Sequence, residues 1–441
     1  MSDFFNTTIG DQLTLQRGFD ITKKQQISGS VPVVSSGGIA SYHNEFKAKG
    51  PGVVLGRKGT LGTVFFLESE YWPHDTSLWV KDFKGNNPRF VYYFFKSISS
   101  QLKRMDVGAA NPALNRNHVH PMEVRWPVRR VQDAIVSTLE KLDTGIVLNR
   151  QTNQTLEHIA QALFKSWFVD FEPTRAKIAA KQVGQDPERA AMAAIGGKTV
   201  AELDQLDAVQ LAQLKTTAAL FPDGLVESEL GEVPEGWRIN TINEVTSTII
   251  DHRGKTPKKL GGDWAEKGYP ALSAKNIKSG RITRHETIRF LSEELYSKWM
   301  KEELQTGDVL LTSEAPMGEM YFLTESTKYC LSQRLYALRA DNKNMTPTFL
   351  YLWLQTPVAK ADLEGRSTGT TVVGIKQSEL RKVNILKPSF DLLTAFEKIV
   401  FSSYQKIQAK ESESEMLATL RDTLLPKLLS GELSPTSTEA A

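Results

Sequence analysis

Among the 441 residues there is one cysteine, Cys330. That excludes a disulfide framework and any cysteine-based zinc site, and it fits a reducing cytoplasm. Nowhere do 18 apolar residues run together, so no membrane span is expected. The opening Met1-Ser2-Asp3-Phe4-Phe5 lacks the charged start and apolar run of a signal peptide. Recognisable catalytic constellations are missing as well. Gly197-Lys198-Thr199 ends like a phosphate-binding loop, but the first glycine of that motif falls on Met192. Gly56-Arg57-Lys58-Gly59-Thr60-Leu61-Gly62 is glycine-rich in the wrong order for a dinucleotide fingerprint. His118 and His120, two apart, are expected on alternate sides of a strand, and no cluster completes a metal site around them. Catalytic residues and metal ligands are therefore expected to be none.

What is present is an ordinary globular balance, 40% apolar and 24% charged residues, over a length that calls for two or more domains. The net charge of +3 conceals a pattern. Residues 1–127 carry +5, 128–232 carry −4, 233–388 carry +5 and 389–441 carry −3. Either this alternation is chance, or two polyanion-binding modules are joined by segments that do not touch the polyanion.

The chain is also written twice. Gly52–Leu67 aligns with Asp308–Leu323 at an offset of 256, placing Gly62 on Gly318 and Phe66 on Phe322. Pro88–Phe95 aligns with Pro347–Leu354 at 259, Gly108–Leu114 with Gly369–Ile375 at 261, and Pro127 falls on Pro388. Within each copy, Val53–Leu55 and Thr63–Leu67 read as a hairpin. Phe90–Ser97 and Phe349–Leu354 read as helices that follow a proline suited to a first turn. An α+β domain with a curved, mostly antiparallel sheet is expected.

After Pro127 the periodicity changes. Ile135, Leu139, Leu142, Ile146, Asn149, Asn153, Leu156, Ala160, Leu163 and Trp167 alternate four and three apart, the seam of a coiled coil. After Pro388 the same spacing runs through Phe396, Val400, Ser403, Ile407, Lys410, Ser414, Leu417, Arg421, Leu424 and Leu428. Polar seam positions lie near the middle of both helices, where pairing would fix register. The seam alone is compatible with parallel or antiparallel pairing, or with two helices packed separately. Between the copies, Ala190–Ala194 and Val200–Ala218 look helical.

Leu156–Pro173, which contains Lys165-Ser166-Trp167-Phe168-Val169-Asp170-Phe171-Glu172-Pro173, closely resembles the central region of type I restriction–modification specificity subunits. Glu227–Trp237 resembles the segment that opens their second recognition domain, and Leu420–Leu433 their C-terminal helix end. The resemblance implies an α+β architecture with two tandem target-recognition domains, 1–127 and 233–388, in a pseudo-two-fold arrangement. They would be separated by an antiparallel two-helix coiled coil made of a central helix, 128–175, and a C-terminal helix, 389–433. A variable insertion and linker, 176–232, and a tail, 434–441, complete the layout. It further implies a non-catalytic subunit that reads a bipartite double-stranded DNA target and docks two methyltransferase subunits and ATP-driven restriction subunits. S-adenosylmethionine, ATP and Mg would belong to those partners. A helix over 128–168 would be about 60 Å long at ~1.5 Å per residue, long enough to space two half-sites. Alternatives are a methylation-only complex without a restriction subunit, or a protein-binding scaffold.

Bases are read by side chains at their edges, whereas phosphates are held by Lys, Arg, hydroxyls and backbone N–H groups. Loop positions offering such groups in the first domain are Arg57, Lys58 and Thr60, then Asn111, Asn115, Arg116 and His118, with Ser36, Gly37 and Gly38. In the second they are Arg253, Lys255, Lys258 and Lys259, then Lys275 and Asn276, Ser332, Gln333 and Arg334, and Thr370 and Thr371.

Overall fold

A computed structural model describes residues 3–105, 113–369 and 372–435. The chain forms two compact units, residues 1–150 with 411–441, and residues 151–410.

In the first unit the strands are β1 (Phe4–Thr8), β2 (Thr14–Arg17), β3 (Val31–Ser35), β4 (Gly38–His43), β5 (Gly52–Gly56), β6 (Val64–Leu67), β7 (Trp72–Pro73), β8 (Ser77–Asp82) and β9 (Glu123–Pro127). The β5–β6 hairpin expected from sequence is present, inside an antiparallel sheet of order β2-β8-β5-β6. A second sheet, β4-β3-β7, contains one parallel pairing, β3 with β7, and β1 pairs with β9. Every residue of β5 is buried, because the sheet is covered on both faces there. One cover is the helix Pro88–Ser97, started by Asn87, whose side chain accepts from Arg89 and Phe90 N–H, with Pro88 in the first turn. It buries Phe90, Phe94 and Phe95 beside Trp126.

The second unit repeats this plan. After a hairpin of β10 (Leu225–Ser228) and β11 (Gly231–Pro234) come β12 (Arg238–Thr241), β13 (Thr246–Asp251), β14 (Tyr269–Leu272), β15 (Ile277–Lys278) and β16 (Arg281–Ile282). They are followed by β17 (Arg289–Leu291), β18 (Val309–Thr312), β19 (Met320–Phe322), β20 (Cys330–Leu331), β21 (Leu335–Ala340) and β22 (Asn384–Lys387). The sheets β13-β21-β18-β19 and β17-β14-β20 and the pair β12–β22 match those of the first unit strand for strand. Even the capping is duplicated: Asp11 accepts from Thr8 N–H at 3.3 Å, and Glu244 from Thr241 N–H at 2.6 Å.

Two long helices run over Arg129–Phe168 and Phe390–Ser430. Within the first unit Asp143 meets Arg421, and Leu139 shares a core with Leu425 and Leu428. Within the second, the rings of Phe164 and Phe396 are 5.9 Å apart and Asn153 Nδ2 donates to Ile407 O at 3.1 Å. In each unit, ascending one helix means descending the other, so the pairing is antiparallel. None of the twenty seam positions is exposed, while Val147, Leu148, Met416 and Leu420 beside them are. The segment expected as one helix over 128–175 is broken. The helix stops at Phe168, Phe171 adopts φ 56°, and a separate helix covers Glu172–Gln182.

The insertion is a small helical bundle: Pro187–Gly196, Val200–Leu203 and Ala208–Ala218 bury Ala191, Met192, Leu203 and Ala218 against one another. The single helix expected over Val200–Ala218 is interrupted where Asp207 caps a new one. Gly197-Lys198-Thr199 is the turn between two helices; Gly197 is a left-handed C-cap and Thr199 accepts from Glu202 N–H. No described helix is long and apolar enough to cross a membrane.

Candidate nucleic-acid interface

In the first unit, loops from four parts of the chain are tied together at one end of the main sheet. Arg57 and Lys58 N–H donate to Thr76 O at 2.9 and 3.0 Å, and Leu114 N–H donates to Arg57 O at 2.9 Å. Ser36 N–H donates to Thr76 Oγ1 at 3.3 Å, and Thr63 Oγ1 donates to Ser36 O at 2.6 Å. Two of these ties recur in the second unit: Ser313 N–H to Arg334 O at 2.8 Å and Ile375 N–H to Ser313 O at 3.0 Å. The bridge between Lys58 and Ala113 recurs between Glu314 and Gly374. The sequence-level offsets of 256 and 261 therefore correspond to equivalent positions in space.

The side chains presented there differ between the copies. Gly37, Lys58, Thr60, Asn115, Arg116 and His118 are exposed, and Arg57 is half-buried between Arg17 and Asp75. Burial first, then repulsion from Arg17, lowers the Arg57 pKa, and Asp75 partly offsets both. Ser36 and Gly38 are buried at the β3–β4 turn, so they shape the loop and are not free to reach a base. His118 and His120 do not alternate along a strand. Asn115 caps a short helix, Arg116–Val119, on which His118 is exposed to solvent, while His120 Nε2 accepts from Leu15 N–H at 3.0 Å. Asn111 lies outside the described residues.

In the second unit Arg253, Lys258, Lys259, Lys275, Gln333 and Arg334 are exposed and Lys255 is half-buried. Arg253 is forked onto Asp251 and lies 4.4 Å over the Tyr336 ring; Lys255 Nζ donates to Trp299 O at 2.7 Å. Arg334 pairs with Glu314 at 2.9 Å. Two candidates are corrected. Asn276 is fully buried: its Oδ1 accepts from Ser273 N–H and Oγ, and its Nδ2 donates to Thr283 O, Arg284 O and Thr287 Oγ1. With all its polar capacity spent on one turn, it cannot read a base. Ser332 is buried too, its N–H donating to Leu272 O at 2.8 Å. Thr370 and Thr371 lie outside the described residues, as does most of the aligned stretch Gly108–Leu114.

Sequence reasoning missed two features. The first is a pocket of about 470 Å³ in the second unit, where Trp264, Thr256, Thr287 and Arg289 join Lys255, Lys275 and Ser332–Arg334. Trp264 is a lone aromatic in the polar stretch Gly261–Lys267, a signal that was available. The second is His74-Asp75-Thr76, the spatial counterpart of Ser332-Gln333-Arg334: His74 N–H donates to Val34 O as Ser332 N–H does to Leu272 O. Asp20, His74 and Asp75 bring potential ligand atoms within 4.8 Å of one another. Asp75 is already paired with Arg17 at 2.7 Å and with His74 at 3.1 Å, which balances its charge without an ion.

The profile of the type I restriction modification DNA specificity domain matches residues 1–158 and again 234–391. The chain is 33% identical over 334 residues to the type I restriction enzyme HindI specificity subunit of Haemophilus influenzae, covering 73% of this chain and 71% of that one. It is 22% identical over 347 residues to the MjaIX specificity subunit of Methanocaldococcus jannaschii, covering 78% and 68%. In fold it is similar to the crystal structure of the S subunit of a type I restriction–modification system from M. genitalium. The TM-score is 0.58 at 15% identity, over 97% of this chain and 96% of that one. The chain belongs to the specificity subunits of type I restriction–modification enzymes, the non-catalytic DNA-recognition chains of those multisubunit systems.

Proposed function

We propose that this chain reads a bipartite DNA sequence, one half-site with each repeated domain, and holds methyltransferase and restriction subunits on its paired helices. The observation that carries the reading is the loop cluster built twice on recurring backbone ties but filled with different side chains. Lys58, Asn115 and Arg116 stand in one copy; Lys275, Gln333 and Arg334 in the other. The same scaffold with different edge-reading groups is what two unlike half-sites require. Two modification subunits fit the two antiparallel stretches of helix, one in each unit. S-adenosylmethionine, ATP and Mg belong on this reading to the partners, and the complex works in the cytoplasm, where chromosomal DNA is.

Exchanging residues 1–127 for the corresponding domain of a relative tests it. Methylation sequencing of cells carrying the exchanged chain should show one half of the motif changed and the other retained. A change in both halves would refute one-domain, one-half-site reading.

A further inference from the structure

The pocket in the second unit has the wrong shape for a base that stays paired. B-DNA offers base edges inside a groove, so a protein reads them by inserting side chains into DNA. A cavity of about 470 Å³ works the other way round: a ligand enters the protein. Its lining carries four cationic side chains, Lys255, Lys275, Arg289 and Arg334; of these Arg334 is paired with Glu314, which is not itself in the lining, and Lys255 is turned onto Trp299 O. One wall is aromatic. Trp264 lies 6.4 Å from Trp299, and the Arg289 guanidinium sits 5.2 Å from the Trp264 ring centroid. Hydroxyls of Ser273 and Thr287 and the exposed amide of Gln333 complete it.

A flat aromatic surface, surrounding positive charge and an amide able to pair with a base edge together match a nucleotide. We propose that this pocket receives one extrahelical nucleotide of the bound half-site, its base against Trp264 and its phosphate among Lys275, Arg289 and Arg334. The proposal rests on the second domain being a DNA reader. The counterpart position in the first unit differs in sign: Asp75, tied to Arg17, stands where Gln333 stands here. A carboxylate already paired with Arg17 and His74 offers a phosphate no donor, whereas the Gln333 amide can donate, so the device belongs to one domain.

The test uses the full chain without partner subunits, so that no methyltransferase pocket contributes. Once methylation sequencing has defined the motif, duplexes carry a fluorescent base analogue at each position of the second half-site in turn. Binding is followed by anisotropy and extrusion by analogue brightening. One position should brighten with the unaltered chain. Trp264→Ala should abolish the brightening and weaken binding by roughly five- to a hundredfold, while Trp264→Phe keeps both. Lys275→Glu, at an exposed position, should reduce both even if the Trp264→Ala chain misfolds. Specific binding with no position brightening, or brightening that survives Trp264→Ala and Lys275→Glu, overturns the proposal while leaving DNA reading intact. Absence of specific duplex binding would overturn both.

Discussion

Arg421, on the seam of the second long helix, donates from Nη1 to Asp143 Oδ1 at 2.7 Å, and Tyr93 OH donates to Asp143 Oδ2 at 2.6 Å. One carboxylate thus joins the second helix to the first, and the first to the helix covering the sheet. A cation at a coiled-coil seam is ordinarily costly, yet only 16% of the Arg421 side chain is exposed. Its position is tolerated because its partner stands opposite and is itself held by a domain residue.

Removing that carboxylate should cost more than removing the cation. Asp143→Ala leaves Tyr93 OH without its acceptor and Arg421 with only its exposed neighbour Asp422, and should destabilise the first unit by about 2–3 kcal/mol. Arg421→Met, which restores an apolar seam position, should cost less than about 1 kcal/mol. Urea melts of the two variants give the ranking, and a larger loss for Arg421→Met would show that the pair is not organised around Asp143.

Asn276 offers a separation of stability from recognition. Its side chain makes five hydrogen bonds in a fully buried turn. Asn276→Ala should therefore lower stability by roughly 2–4 kcal/mol, since several buried groups lose partners at once. The methylated motif should not change. A relaxed base preference at one position, with an unaltered melting temperature, would return Asn276 to the reading residues.

The duplication was legible because Gly62 and Gly318, at φ 70° and 89°, hold the same hairpin turn and cannot drift freely in sequence. The seams were legible because heptad spacing is a local signal. Asn276 was misread because an Asn in a polar loop looks the same whether it faces solvent or caps its own turn; only burial decides. The seam itself ends at Trp167, one residue before the helix does; the segment to 175 follows from the resemblance, and the break at Phe168–Phe171 carries no glycine or proline at the turn to mark it. Trp264 was overlooked because its meaning depends on Arg289 and Lys275, residues 25 and 11 positions away that only the fold brings together.

His252 should make the second unit acid-sensitive. Burial first, then the nearby Lys255 ammonium, lowers its pKa from 6.5 to about 4, with Asp251 opposing. Its Nδ1 has no partner among the described residues. The unfolded chain binds the proton at higher pH than the folded one, so stability is fully present above pH 6.5 and falls as the pH drops towards 4. The loss at the lower end is on the order of 3 kcal/mol at ~1.36 kcal/mol per pKa unit. His252→Gln should flatten that part of the stability–pH curve, and an unchanged slope would assign the acid sensitivity to other groups.

Lys58 and Lys258 are exposed on the candidate loops of the two units, and the chemistry of an ammonium distinguishes two jobs for each. A lysine on a phosphate releases condensed counterions when DNA binds, so each such contact adds about 0.9 to the slope of log K against log salt. Its effect is the same for every sequence. A lysine donating to a guanine edge instead discriminates one base by about 1–3 kcal/mol and belongs to the motif. Among the described residues neither ammonium has a partner group to aim it, which suits the less directional role. Lys58→Ala and Lys258→Ala should each reduce the salt slope by close to one, weaken target and non-target duplexes alike, and leave the methylated motif unchanged. Anisotropy titrations across a salt series, on duplexes with and without the motif, measure slope and specificity together. A retained slope with a lost preference at one base would make that lysine a base reader.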